Sequence, residues 1–169
     1  LFRSGWANRM LLALLMANAL TACGPKFEEK PAPVVTFMTI KGEQFKTGDL
    51  RGKVVLVNFW ATDCPVCLKE MPELIATHNK FQARGLETVA VAMWYDPPNR
   101  VGEFSGKRAL PFKVSFDPVG DIARAFGDVT MTPTTFVVDK RGNIIARYVG
   151  EPDFKKLDAL IEERLAEAG

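Results

Sequence analysis

The sequence predicts an α/β fold in which helices cover both faces of a central sheet. From Val34 onward, short apolar segments alternate with segments of helical periodicity, and this alternation is typical of such a sheet. The apolar run before Cys64 predicts a strand that is buried on both faces. Without residues 1–22, the 169-residue chain keeps the size of one ordinary domain with a real core. One globular unit is therefore expected over residues 34–169.

The predicted elements follow one another without a repeat or a low-complexity tract. In chain order they are an N-terminal hairpin (34–37 and 44–45), a strand (53–59), a helix (65–83), a strand (87–93), a helix (99–108), a strand (113–116), a short helix (120–126), a hairpin (134–139 and 143–149) and a last helix (153–166). An apolar stripe at helical spacing marks the first helix, and His78 falls in the middle of it. His78 is therefore interpreted as a packed core side chain and not as a catalytic base. Pro72 is expected to kink the same helix, and Asp153 suits the N-cap of the last one.

The first 22 residues have the features of an export signal. Arg3 and Arg9 precede an apolar stretch, residues 10–20, which is too short to span a bilayer comfortably and has the length of a signal-peptide core. The stretch ends in LTAC at residues 20–23, which resembles the bacterial lipobox. That resemblance implies cleavage before Cys23 and a lipid on its thiol. The alternative is an uncleaved anchor with an incidental cysteine.

Composition limits the partners and the compartment. Residues 23–33 are polar and rich in proline, so they are predicted to form a flexible tether. The formal net charge is +2 without a dense block of Lys and Arg, so no nucleic-acid partner is expected. With Cys23 lipidated, the two remaining cysteines form an isolated pair, which suits an oxidising compartment. We therefore expect an extracytoplasmic protein that is held at a bacterial membrane by the lipid on Cys23.

A CxxC motif, Cys64 to Cys67, stands where the buried strand gives way to the first long helix. Two thiols at this spacing can form a disulfide and open it again. Cys64 would lie at the helix N-terminus, where unpaired N–H groups and the helix dipole favour a thiolate, the attacking species in disulfide exchange. Pro65 suits the first helical position, because its missing N–H is not needed there.

Other uses of this motif are disfavoured by the rest of the sequence. A structural zinc site needs four ligands, but His78 would lie about 16 Å along the helix from Cys67, and Cys23 is the only further cysteine. Attachment of a c-type haem needs a histidine directly after the second cysteine, and Leu68 is there instead. A redox dithiol without metal or cofactor is the interpretation that remains.

Several motifs in a fixed order resemble the thioredoxin superfamily. VLVNFWAT at residues 55–62 looks like the family's strand and turn, and EMPEL at residues 70–74 looks like its helix. TPTTF at residues 132–136 resembles the family's cis-proline loop, and DKRGN at residues 139–143 resembles the hairpin that follows. Within the superfamily, the chain is most similar to the membrane-tethered TlpA/ResA-like reductases found outside the bacterial cytoplasm. The resemblance implies a thioredoxin-like fold with a central mixed sheet, helices on both faces and an N-terminal hairpin.

The resemblance also implies roles for individual residues. Cys64 would be the nucleophile and Cys67 the resolving thiol. Glu70 lies one helical turn after Cys67 and can share its face. The family's pattern makes Glu70 a partly buried carboxylate that raises the cysteine pKa values and takes up the proton of the resolving thiol. The alternative for Glu70 is a solvated acid in the first turns of the helix.

The substrate-binding residues implied by the resemblance are Trp60, Thr132 and Pro133. Pro133 would follow a cis peptide bond and place the backbone of Thr132 opposite the dithiol, where a substrate strand can pair with it. An ordinary trans proline at the start of a strand is the alternative. Trp94 and Tyr95 end a strand at the same side of the sheet, and they either line the substrate site or pack in the core.

Two departures from thioredoxin affect the expected redox direction. Asn58 stands where thioredoxin has a buried aspartate, so proton transfer would pass to Glu70 or to water. Asp63 replaces an aromatic residue that is common before the first cysteine. A negative charge beside Cys64 disfavours the thiolate and makes the dithiol a stronger reductant.

The function expected from the sequence is a lipid-anchored thiol:disulfide oxidoreductase that reduces disulfides of exported proteins, with apocytochrome c as the substrate the resemblance most suggests. Its electrons would come from a membrane thiol carrier of the DsbD/CcdA type. One alternative is a peroxiredoxin-like peroxidase, whose Pro-x-x-x-Thr-x-x-Cys pattern is not met by Thr62 and Asn58. A copper carrier of the Sco type is another, but its cysteine spacing is longer and no histidine follows His78.

Overall fold

The helices and strands predicted from the sequence follow one another in the predicted order. The computed structural model describes residues 27–167. Within that range the eight strands are β1 (Lys30–Pro31), β2 (Thr36–Met38), β3 (Gln44–Lys46), β4 (Val54–Trp60), β5 (Leu86–Ala92), β6 (Lys113–Phe116), β7 (Thr134–Val138) and β8 (Asn143–Val149). The four α-helices are α1 (Pro65–Phe81), α2 (Pro98–Arg108), α3 (Asp121–Ala125) and α4 (Phe154–Ala166), and short 3-10 helices span Thr47–Leu50 and Gln82–Arg84. None of the helices in this range is long and apolar enough to cross a membrane.

β4 lies in the middle of a six-stranded mixed sheet with the order β1-β8-β7-β4-β5-β6. It pairs in parallel with β5 and antiparallel with β7, so that Val57 is flanked by Val89 and Phe136. All seven β4 side chains are buried because both faces of the sheet are covered. The predicted thioredoxin-like mixed sheet is confirmed.

Alternate residues of β4 belong to two separate cores. Leu56 and Trp60 pack with α1, α2 and α4 on one face, whereas Val57 and Phe59 pack with α3 and the β2–β3 hairpin on the other. In the hairpin, predicted from the sequence, Phe37 stacks on Phe45 with ring centroids 5.1 Å apart. The period of two along a strand thus sends Asn58 towards α1.

The ordered domain begins earlier than the sequence predicts. Lys30 and Pro31, in the predicted tether, form β1 and pair with Ile144 and Asn143 at the edge of the sheet. This pairing uses backbone atoms, and proline is tolerated on an edge strand, so the polar composition of the segment does not exclude it. The predicted signal peptide, residues 1–22, and the predicted lipid site, Cys23, lie outside the described residues.

His78 lies in the core, as its place in the apolar stripe predicts. Its side chain is buried, its Nδ1 is 3.1 Å from Oγ1 of Thr88, and its ring packs edge-on against Phe112. Burial lowers the pKa of the His78 imidazole below its usual value, which favours the neutral ring. This histidine belongs to the packing of α1 on the sheet.

Candidate active site

The two cysteines of the CxxC motif are joined at the first turn of α1. Cys64 is the N-cap residue and Pro65 occupies the first turn, as the motif predicts. A disulfide links Cys64 to Cys67, whose Cα atoms are 5.3 Å apart. The backbone N–H of Cys67 donates a hydrogen bond of 3.1 Å to Sγ of Cys64. Such a donor stabilises a thiolate on Cys64 when the disulfide is open.

The two sulfur-bearing residues differ in exposure. Cys64 is half-buried, and its neighbours Asp63, Pro65 and Val66 are exposed. Cys67 is completely buried. A second protein can therefore reach Cys64 but not Cys67, which supports the predicted roles of nucleophile and resolving thiol.

A buried polar network lies beneath the disulfide. Nδ2 of Asn58 donates to Oε1 of Glu70 at 3.0 Å and to Oγ1 of Thr135 at 2.9 Å. All three side chains are buried, and Glu70 is only 1% exposed. Glu70 is therefore not the solvated surface acid that the sequence left open as an alternative.

Burial changes the acidity of Glu70. Loss of hydration raises the pKa of its carboxyl to about 7, against the opposing effect of the hydrogen bond from Asn58, and the negative charge of Glu151 adds to the rise in pKa. The carboxylate and the carboxylic acid are thus both populated near neutral pH. A group in this state can accept a proton from a neighbouring thiol and return it later.

The raised pKa of Glu70 predicts a pH-dependent stability. Between pH 4.5 and 7 the folded oxidised protein holds the Glu70 proton more tightly than the unfolded chain does. The contribution of this proton to the free energy of unfolding is complete below pH 4.5 and is lost as the pH rises through 7. Glu70→Gln removes the titration. Its free energy of unfolding should therefore rise relative to wild type across this window, by up to about 3 kcal/mol.

Denaturant unfolding of the oxidised proteins between pH 4 and pH 8 measures this difference. Glu73→Gln, at an exposed position of the same helix, is the matched control and should follow wild type at every pH. A constant difference between Glu70→Gln and wild type over the whole range would show that Glu70 does not titrate in this window.

The loop before β7 lies at the same edge of the sheet as the disulfide. The register that pairs Phe59 with Thr134 brings this loop beside the turn that leads into Cys64. The Thr132–Pro133 bond is cis, as the resemblance implies. Thr132 is partly exposed and its hydroxyl lies 3.4 Å from that of Tyr95. The carbonyl oxygen of Pro133 accepts a 2.8 Å hydrogen bond from Gly150.

Exposed apolar side chains lie at the edge of the sheet that carries the disulfide. They lie in segments that follow β4, β5 and β6 or precede β7, and these segments meet at one edge because the three strands are parallel and β7 is antiparallel to β4. Trp94 is 58% exposed and packs edge-on against Tyr95, which is 41% exposed. We call this set the apolar surface: Val66, Trp94, Tyr95, Val119 and Met131. Both aromatic residues are therefore available to a partner and are not packed in the core.

Trp60 does not lie where a substrate could touch it. Its side chain is completely buried and packs against Phe104 of α2, with ring centroids 5.2 Å apart. As the last residue of β4 it points to the same face as Leu56 and Asn58, and that face is covered by helices. The predicted substrate contact of Trp60 is therefore replaced by a structural role under the site.

Asp96 is a residue of the site that the sequence did not single out. Its buried carboxylate accepts two hydrogen bonds from Thr62, one from the backbone N–H and one from the hydroxyl, each 2.6 Å long. These bonds tie the loop after β5 to the turn before Cys64. The only signal for Asp96 in the sequence is its position between two aromatic residues, Trp94 and Tyr95, and two prolines.

No group of three or more His, Cys, Asp or Glu side chains within residues 27–167 is arranged to hold a metal ion. The chemistry offered by the described residues is that of two cysteines, a buried carboxyl and a cis-proline loop.

Comparison with known proteins agrees with this site. The Redoxin family matches residues 27–161. The chain is 31% identical over 134 residues to the thiol-disulfide oxidoreductase ResA of Bacillus thuringiensis subsp. konkukian, covering 79% of this chain and 76% of that protein. It is 33% identical over 142 residues to ResA of Geobacillus thermodenitrificans, covering 80% of each.

Similarity extends to solved structures. The crystal structure of a thiol:disulfide interchange protein of the thioredoxin family from Chlorobium tepidum superposes with a TM-score of 0.74 at 28% identity, covering 83% of this chain and 99% of that one. The fold, the CxxC disulfide and the sequence similarity together show that this chain belongs to the Redoxin family and shares the thioredoxin-like fold of its thiol-disulfide oxidoreductases.

Proposed function

We propose that the protein is an extracytoplasmic thiol-disulfide oxidoreductase that works as a reductase of disulfides in exported proteins. The observation that carries this proposal is a half-exposed Cys64 bonded to a buried Cys67, with the buried carboxyl of Glu70 one helical turn away. The similarity to proteins named ResA thiol-disulfide oxidoreductases supports the same activity.

The reaction transfers two electrons from the dithiol to the substrate. The Cys64 thiolate attacks one sulfur of the substrate disulfide, forms a mixed disulfide and releases the first substrate thiolate. Cys67 then gives its proton to the Glu70 carboxylate and attacks Sγ of Cys64. This step forms the Cys64–Cys67 disulfide and releases the second substrate thiolate. The substrate thiolates take up protons from Glu70 or from solvent, and an external dithiol reduces the enzyme again.

Charges around the dithiol favour the reducing direction. Asp63 is exposed directly before Cys64, and no cation within residues 27–167 forms an ion pair with it. Its negative charge and that of ionised Glu70 oppose a thiolate on Cys64, whereas the helix N-terminus and the N–H of Cys67 favour it. A dithiol whose thiolate is less stabilised is a stronger reductant.

The apolar surface supports a polypeptide substrate. Trp94, Tyr95 and Met131 offer exposed apolar area at the same edge of the sheet as Cys64, and Thr132 offers backbone groups to an extended chain. A small thiol compound needs neither feature. Exported proteins with exposed cystines fit this surface, and apocytochrome c is the specific substrate that we propose.

The location and the electron donor are further parts of the proposal. Cleavage before Cys23 and a lipid on its thiol would hold the domain at the membrane through residues 24–29. The compartment outside the cytoplasm has no reducing buffer, so a membrane thiol carrier of the DsbD/CcdA type is proposed as the donor.

One experiment in bacterial cells tests direction and location together. Cells producing the full chain are quenched with acid, free thiols are alkylated with a mass-tagged maleimide, and membranes are separated from the soluble fraction. We expect the wild-type protein in the membrane fraction, with Cys64 and Cys67 mostly reduced. Cys23→Ser should be absent from the processed, membrane-bound protein. A pair that is mostly oxidised in cells would contradict the reductase proposal. An unmodified Cys23 in the membrane-bound protein would contradict the lipid anchor.

A further inference from the structure

An ion pair links the residue directly before Glu70 to the segment that follows β8. Nζ of Lys69 lies 2.7 Å from a carboxylate oxygen of Glu151, which follows β8. Lys69 is the residue directly before Glu70 in α1, and Gly150, directly before Glu151, donates to the carbonyl oxygen of Pro133. The segment after β8 is therefore fixed both to the cis-proline loop and to the first turns of α1.

The charged and titratable groups around Glu70 come from two elements. On α1 they are Cys67 and Glu73, one helical turn to either side, and Lys69. On the other element, Tyr148 of β8 is paired in register with Thr135, and Glu151 follows the strand. In the buried network, β4 contributes Asn58 and β7 contributes Thr135. Neither of these side chains carries a charge. Lys69 and its partner Glu151 thus place two opposite full charges next to the first turns of α1, where Glu70 lies.

We propose that Lys69 and Glu151 are positioning residues that set the charge around Glu70 and thereby control the step in which Cys67 releases the substrate. This inference rests on the proposed thiol-disulfide exchange and assigns a regulatory role to a pair outside the CxxC motif. The two residues act in opposite directions: the negative charge of Glu151 raises the pKa of Glu70, and Lys69 offsets that charge by binding it.

The opposite signs make the proposal specific. Without the positive charge in Lys69→Met, Glu151 is no longer offset, and the pKa of Glu70 should rise. In Glu151→Gln the negative charge is gone and Lys69 remains, so the pKa of Glu70 should fall. A pair that only holds two segments together would affect Glu70 in the same direction in both variants, since both lose the same contact.

The test measures the titration of the Glu70 side-chain carboxyl by ¹³C NMR in the oxidised full-length protein, held in detergent micelles. We expect the midpoint to shift by about half a pH unit, upward in Lys69→Met and downward in Glu151→Gln, as is typical of a partly exposed charge pair. Lys80→Met is the matched control, because Lys80 forms an ion pair of 2.8 Å with Asp158 between α1 and α4, further along the helix. It should leave the midpoint unchanged.

The second readout is the pH profile of mixed-disulfide release in stopped-flow measurements with a model disulfide. The midpoint of that profile should move with the NMR midpoint, and the shifts should vanish in a Glu70→Gln background. The proposal would be overturned if the two variants had the same NMR midpoint, or if both midpoints shifted from wild type in the same direction. It would also be overturned if the pH profiles of release did not follow the NMR midpoints. The NMR titration uses oxidised protein without substrate, so it tests the charge effect on Glu70 even if the chain reduces no disulfide. Failure to reduce any disulfide would overturn the proposed function instead.

Discussion

Replacement of Cys64 by serine is expected to abolish disulfide reduction. Cys64 is the only sulfur of the CxxC pair that a substrate can reach, because Cys67 is completely buried. A serine hydroxyl does not ionise near neutral pH and cannot form a mixed disulfide. In an insulin-reduction assay with dithiothreitol as the electron source, Cys64→Ser should therefore fall to the rate seen without enzyme.

The third cysteine supplies the control for this prediction. Cys23→Ser removes a thiol without changing the dithiol, and in detergent solution it should reduce insulin at the wild-type rate. Circular dichroism of Cys64→Ser separates loss of chemistry from loss of fold. Substantial insulin reduction by folded Cys64→Ser would mean that the reacting thiol lies elsewhere in the chain.

The elements that fix the site could be predicted because their signals are local. The apolar run of β4 has no interruption except Asn58, and the CxxC motif with Pro65 marks the start of α1. The spacing of Cys67 and Glu70 is a helix-face argument that needs no tertiary information. The cis bond before Pro133 came from resemblance alone, and the structure confirms it.

The features that sequence reasoning missed depend on contacts between distant segments. β1 forms through backbone bonds to β8, which side-chain composition does not report. The bonds from Thr62 to Asp96 and from Asn58 to Thr135 join residues far apart in the chain, and they become visible only once the order of the strands is known. The burial of Trp60 could have been predicted without distant contacts. The alternation of side chains along β4 places it on the same covered face as Asn58.

The buried position of Glu70 shows how a local signal and a distant one combine. Its helix spacing from Cys67 predicts a shared face, but its pKa of about 7 depends on the covering of that face and on Glu151. The sequence favoured a buried, functional carboxyl without a means to decide its acidity. The packing of α1 on β4 decides it.

Removal of the resolving thiol should block the reaction one step later than removal of the nucleophile. In Cys67→Ala, Cys64 can still attack a substrate disulfide, but no second thiol is present to release the product. The mixed disulfide should therefore accumulate, and turnover of insulin should fall close to background. The alanine is smaller than cysteine and leaves Cys64, Glu70 and Asn58 in place, so substrate access is unchanged.

Isolation of Cys67→Ala from bacterial cells under acid quench, followed by mass spectrometry of the chains bonded to it, shows whether Cys64 attacks the disulfides of exported proteins. We expect adducts that are released by reductant, attached through Cys64, and made of exported proteins that contain cystines. The double variant Cys64→Ser/Cys67→Ala should yield none of them. If Cys67→Ala carries no more bonded protein than the double variant does, Cys64 is not the nucleophile of a disulfide reductase.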